Sequence, residues 1–97
     1  MILLALDQSS DITGYAIFKD TELIECNKFN LQSEDLGERL YDYRQKLIEL
    51  ILKYQVDKVA FEDIQMQTQI NNVATYKILA EIFGITQELM VELKIPY

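Results

Sequence analysis

Histidine is absent from this sequence, and cysteine occurs once, at Cys26. That excludes cysteine–histidine zinc sites, a disulfide scaffold and any histidine-dependent catalytic triad. Glycine occurs three times and proline once, too few for a collagen-like repeat or a low-complexity linker. No stretch approaches the roughly 18 consecutive apolar residues of a membrane-spanning helix. The first apolar run starts at Ile2 without a basic leader, so no secretory signal is visible and a cytoplasmic location is expected. Basic residues are scarce as well: nine Lys and Arg stand against sixteen Asp and Glu, for a net charge of −7. Nucleic-acid-binding domains usually carry a basic surface, because neutralising phosphates releases counterions. Taken alone, the charge balance argues against DNA or RNA.

What is present is a chain of 97 residues that is 49% apolar and 26% charged, enough for one compact α/β domain over residues 1–97 with a modest core. Ile2 to Leu6 is an unbroken apolar run, the pattern of a central strand buried on both faces, and it closes at Asp7. A turn through Gln8, Ser9, Ser10 and Asp11 leads to a second strand, about Gly14 to Lys19. Asp20 and Thr21 then turn the chain into a third, Glu22 to Leu31, completing an antiparallel meander. Asp35 reads as a helix N-cap with Glu38 as its capping-box partner. Leu36, Leu40, Tyr43, Leu47, Leu50 or Ile51, and Tyr54 recur at helical spacing, which predicts an amphipathic helix to about Gln55. Val56 to Phe61 reverts to a strand that ends at Glu62. A strand–helix–strand crossover makes this fourth strand parallel to another in the sheet.

No charged residue occurs from Ile64 to Tyr76. The first part of that stretch reads as a polar loop rich in Gln and Asn. A second helix follows, from Asn71 or Asn72 to about Leu93, with Gly84 inside it. A glycine there costs about 1 kcal/mol relative to alanine and often marks a close approach of another backbone. Ile95, Pro96 and Tyr97 resemble the start of a fifth strand. The expected order is therefore βββαβα followed by the start of β, with the chain ending mid-fold.

Asp7 and Glu62 each close an apolar strand. If those strands are parallel neighbours, both acids emerge at the carboxyl edge of the sheet, where open α/β sheets bind ligands. Two carboxylates held together repel unless a proton or a cation lies between them. Oxygen ligands without His or Cys suit Mg²⁺ or Mn²⁺, and paired ions of this kind serve in-line phosphodiester hydrolysis. Acids at strand ends are also ordinary solvated termini, and spacing alone leaves the two readings equal.

The segment Asp7-Gln8-Ser9-Ser10-Asp11-Ile12-Thr13-Gly14, together with Ala60-Phe61-Glu62-Asp63, resembles the RuvC-type Holliday junction resolvases. Within that ribonuclease H-like group it is most similar to the small phage-type members. The resemblance spans essentially the whole chain and implies a ribonuclease H-like mixed sheet. It implies a Mg²⁺- or Mn²⁺-dependent endonuclease that resolves four-way or branched DNA, with Asp7 and Glu62 as the first two acids of a four-acid metal centre. The other two acids would lie on a C-terminal helix after a fifth strand; Glu88 and Glu92 belong to the second helix and do not replace them. Ser9, Ser10 and Thr13 beside the first acid, and Gln65 after the second, are the candidate substrate contacts. Family members often have Gly where Ser9 stands, and the cellular enzymes carry an aromatic wedge where this chain has Gln65.

Other features have plainer readings. Asp11 and Asp63 suit turn or surface carboxylates, Cys26 a small buried residue, and Tyr43 and Tyr54 the core. The apolar residues of the second helix wrap more than one face, which implies deep burial or a partner. Cutting two symmetry-related strands suits a twofold dimer, so a homodimer through residues 71–93 is expected. Two other functions remain open: a non-catalytic junction- or protein-binding module, and a fragment of an actin-like ATPase or sugar kinase. The latter also opens with strand, acid and hydroxylated turn, but usually has more glycine in that loop.

Overall fold

The computed structural model describes residues 1–9, 12–31, 33–61 and 73–97, and of residues 73–75 the backbone only. Its elements are strands β1 (Ile2–Asp7), β2 (Ile12–Lys19) and β3 (Glu22–Asn30), helix α1 (Leu36–Tyr54), strand β4 (Lys58–Phe61) and helix α2 (Val73–Leu93). They form a mixed α/β fold around a four-stranded sheet of order β3-β2-β1-β4. β1 pairs antiparallel with β2 and parallel with β4, and β2 pairs antiparallel with β3. The meander and the parallel crossover expected from the sequence are both present.

Local chemistry explains the element ends. Asp20 adopts φ 56° in the β2–β3 turn, a left-handed conformation that Asp tolerates because its short polar side chain bonds locally. Asp20 also accepts a 2.9 Å bond from the terminal ammonium of Met1. The Asp35 side chain accepts from the Glu38 N–H at 3.0 Å, satisfying one of the orphan donors of α1. The reciprocal half of the box is relayed: Ser33 Oγ donates to the Glu38 carboxylate at 2.6 Å and accepts from the Asp35 N–H at 3.2 Å. Both helices stop on non-glycine residues in the left-handed region, Gln55 (φ 53°) and Lys94 (φ 57°). After α2, Ile95 N–H bonds Met90 O at 2.9 Å and Lys94 N–H bonds Val91 O at 3.2 Å, the paired bonds of a Schellman ending. Beyond it, the Pro96 carbonyl accepts from Val59 N–H at 3.0 Å. That is a single backbone bond to the outer edge of β4, where a fifth strand would begin.

The core lies on one side of the sheet. Leu4, Leu6, Ile17 and Val59 from the strands meet Tyr43, Leu47 and Ile51 of α1 and Ile82, Leu89 and Met90 of α2. Each large side chain buried this way contributes about 1.5–3 kcal/mol relative to exposure. The expectation that β1 is buried on both faces is therefore corrected. Leu4 and Leu6 are buried, whereas Leu3 and Ala5, which point the other way, are half-buried. Both helices cover the same face, and the opposite face has no covering element among the described residues.

Two further expectations change. Cys26 is exposed, because it lies on edge strand β3 in register with Ala16, on the uncovered side. β3 also carries a bulge: Ile17 pairs with Glu25 but Phe18 with Leu23, leaving Ile24 as the extra residue. Gly84 has no heavy atom outside its own helical backbone within 4 Å of where a Cβ would stand, so no second backbone approaches it among the described residues.

Candidate active site

β1 and β4 run parallel with Leu6 opposite Phe61, so their carboxyl ends reach the same edge of the sheet. Asp7 is the last residue of β1 and is exposed there. The residue following Phe61 in the sequence is Glu62, which lies outside the described residues, as do Ser10 and Gln65, Asp11 and Asp63. Among the described residues no group of three or more His, Cys, Asp or Glu side chains could hold a metal ion.

The surroundings of Asp7 follow from strand register. Asp7 lies opposite Gly14, and Gly14 opposite Lys28, in one row across β1, β2 and β3. A Cβ added at Gly14 would sit 3.8 Å from Asp7 Cβ, in ordinary contact; the hydrogen there keeps the surface beside the carboxylate low. The next row on this face is Ala60, Ala5, Ala16 and Cys26. Gly14 in the first row and the small side chains of the second leave a shallow depression of about 320 Å³, with Ala5, Asp7, Gly14, Ala16 and Cys26 among its lining. Asp7 thus opens onto the uncovered face of the sheet.

Of the hydroxyl residues named from the sequence, Ser9 and Thr13 face elsewhere. Ser9 Oγ accepts from Ile12 N–H at 3.1 Å and donates to Ile12 O, so it closes the β1–β2 connection. Thr13 is fully buried on the helix side, and its Oγ1 has no hydrogen-bond partner among the described residues. In this position the Thr13 hydroxyl is out of reach of a molecule bound at the surface.

Sequence reasoning missed a polar cluster directly behind Asp7. Successive residues of a strand point to opposite sides, and Gln8 accordingly turns toward the helices. Its Nε2 donates to Tyr43 Oη of α1 at 2.6 Å and to Thr86 Oγ1 of α2 at 2.8 Å. Tyr43 Oη and Thr86 Oγ1 are themselves 2.6 Å apart, and Thr86 Oγ1 donates to Ile82 O at 2.8 Å. The proton inventory fixes the directions. Thr86 spends its one hydrogen on Ile82 O, so Tyr43 donates to Thr86 and accepts from Gln8. Burial pushes the Tyr43 phenol above its ordinary pKa, with the bonds to Thr86 and Gln8 acting the other way. The available signal was one hydroxyl, Thr86, among the apolar residues Ile82, Leu89 and Met90 of the same helix face.

The remaining candidates are peripheral. Glu92 accepts from Arg44 at 2.6 Å across the two helices, and Glu88 is exposed on α2. Tyr43 is core as expected; Tyr54 is half-buried under Lys53, whose Nζ stands 5.2 Å from the ring centroid.

Comparison with known proteins agrees with this geometry. A family model described as crossover junction endodeoxyribonuclease RuvC matches residues 3–96. Comparison with curated protein sequences gives no match. Among solved structures, RuvC of Thermus thermophilus in complex with a Holliday junction substrate superposes with a TM-score of 0.81 at 13% identity. A second Thermus thermophilus RuvC structure superposes with a TM-score of 0.77 at 18% identity. The whole of this chain is covered in both, but it spans 64% and 63% of the lengths of those two chains.

Proposed function

Because this chain belongs to the crossover junction endodeoxyribonuclease RuvC family, we propose that it is part of a divalent-metal-dependent endonuclease that resolves four-way or branched DNA. The observation that carries the reading is the parallel pairing of β1 with β4, Leu6 opposite Phe61. It brings the end of the strand carrying Asp7 to the point where the sequence continues into Glu62. Asp7 and Glu62 are then the two acids this chain offers to a metal centre. The donor chemistry fits: Asp7 presents hard carboxylate oxygen at an exposed strand end, in a chain without histidine. Mg²⁺ or Mn²⁺ bound there supplies activation of a water and stabilisation of the leaving oxygen of the phosphodiester.

The other residues admit and hold the substrate. Gly14 and Ala16 keep the face beside Asp7 low enough for a DNA backbone to approach. Ser9 shapes the turn that follows Asp7. Ser10 and Gln65 are the proposed polar contacts to phosphate or base edges, and Thr13 underpins the turn from below. The test is a Mn²⁺ soak of crystals with an anomalous difference map. Density between converging Asp7 and Glu62 carboxylates is the expected result; diverging acids and no density at millimolar Mn²⁺ would overturn the reading. In parallel, Asp7→Asn should abolish metal-dependent cleavage of a four-way junction while leaving gel-shift affinity for it in place.

A twofold partner completes the reading, since resolution requires two related cuts. α2 is the proposed contact: Ala80, Gly84 and Val91 are exposed along its outer side, and the space beside Gly84 is open. Sedimentation equilibrium is expected to give a dimer that Gly84→Arg dissociates. A wild-type monomer at all concentrations would remove this part.

A further inference from the structure

Among the described residues the core is apolar except at Thr13 and where Gln8, Tyr43 and Thr86 meet, and that hydrogen-bonded cluster lies immediately behind Asp7. We propose that these three side chains are positioning residues for Asp7, forming a clamp that sets its carboxylate from the opposite side of the sheet. The inference rests on the reading of Asp7 as a metal ligand.

Three observations carry it. First, every donor proton in the triangle is used: two from Gln8, one from Tyr43 and one from Thr86, over distances of 2.6 to 2.8 Å. Such a closed set has one geometry, whereas an apolar contact tolerates sliding. Second, Tyr43 and Thr86 are both 0% exposed, and an apolar trio of the same shape could fill this volume at nearly neutral cost. What the hydrogen bonds add is direction rather than burial. Third, the members come from three separate parts of the chain: the residue directly after β1, the middle of α1 and the middle of α2. Gln8 shares a peptide plane with Asp7, so fixing the Gln8 side chain against two helices fixes the backbone from which the Asp7 carboxylate projects.

The experiment uses the isotopically labelled chain and four variants. Thr86→Val keeps the shape and removes the hydroxyl, and Thr86→Ser keeps the hydroxyl. Gln8→Met acts at a half-buried position, and Asp7→Asn removes the ligand. Two quantities are read by NMR: ¹⁵N order parameters of Asp7, Gln8 and Ser9 without metal, and the Mn²⁺ concentration that half-broadens the Asp7 and Gly14 amides. In Thr86→Val and Gln8→Met, the order parameters are expected to fall from about 0.85 toward 0.6. The Mn²⁺ midpoint should rise about 10-fold, the effect typical of losing a group that orients a ligand. Thr86→Ser should restore both.

Wild-type order parameters and midpoints in both Thr86→Val and Gln8→Met would overturn the clamp. So would a Thr86→Ser variant as impaired as Thr86→Val, since methyl packing would then be what matters. If wild-type broadening at Asp7 is absent or survives in Asp7→Asn, the metal reading fails. The metal-free order parameters then decide the clamp by themselves.

Discussion

The two faces of the sheet are built from adjacent residues of the same strands, yet they follow different rules. On one face Leu4, Leu6, Ile17 and Val59 are buried under both helices. On the other, Ala60, Ala5, Ala16 and Cys26 form a row of small side chains with nothing described above them. The covered face holds the fold together; the uncovered face holds Asp7. The division shows how a short chain can keep a reactive carboxylate accessible without weakening its core. It also shows why the polar cluster matters, because Gln8 is the place where the covered side reaches round to the residue next to Asp7.

The sharpest way to break this comparison is to mutate neighbours in sequence. Leu4→Ala, on the covered face, is expected to cost about 2–5 kcal/mol in urea unfolding, and an effect below 1 kcal/mol would show that the helices do not carry the fold. Next in size is Tyr43→Phe, which leaves a Gln8 donor unpaired inside the covered side and should cost about 1–3 kcal/mol. This position also predicts a pH dependence. Burial raises the folded-state pKa of Tyr43, so its contribution is complete below the unfolded value near pH 10 and is lost as pH rises toward the folded value. Urea midpoints measured between pH 9 and 11.5 should fall more steeply for the wild type than for Tyr43→Phe. A smaller effect is expected at the rim of the helix layer. Glu92→Gln breaks the partly exposed pair with Arg44 and should cost no more than about 1 kcal/mol, a test of whether packing rather than charge joins the helices. Smallest of all is Cys26→Ser, expected within about 0.5 kcal/mol of wild type. The exposed thiol should react with a thiol reagent in the native protein, and slow, unfolding-limited labelling would mean that the open face is covered in solution.

Much of this arrangement is legible in the sequence, and the parts that are not share a cause. The extent of α1 follows from Asp35 and the apolar spacing, and Asp7 at a strand end follows from the run before it. Both signals are local. The uncovered face was hidden because Leu3 and Ala5 are apolar whether or not a helix lies over them. Cys26 is exposed for the same reason: it pairs with Ala16 on the uncovered side of edge strand β3, and its residue type does not say which side of the sheet the helices cover. The Gln8 bonds join residues 35 and 78 positions apart, far beyond any periodicity. Of the candidate site, Asp7 and the Ser9 turn could be placed from their neighbours. The burial of Thr13 depended on which side of β2 meets the helices.

The pairing of β1 with β4 also orders events in time. β1, β2 and β3 are joined by short connections, so their contacts close small loops. Leu4 meets Val59, 55 positions further along the chain, only after all of α1 has been brought round. Loop closure over that span carries an entropic penalty before any native contact offsets it. The meander can therefore assemble early, whereas the edge at which Asp7 and the end of β4 come together is a late product of folding. Changes that slow the docking of α1 should delay the formation of that edge more than the formation of the hairpins.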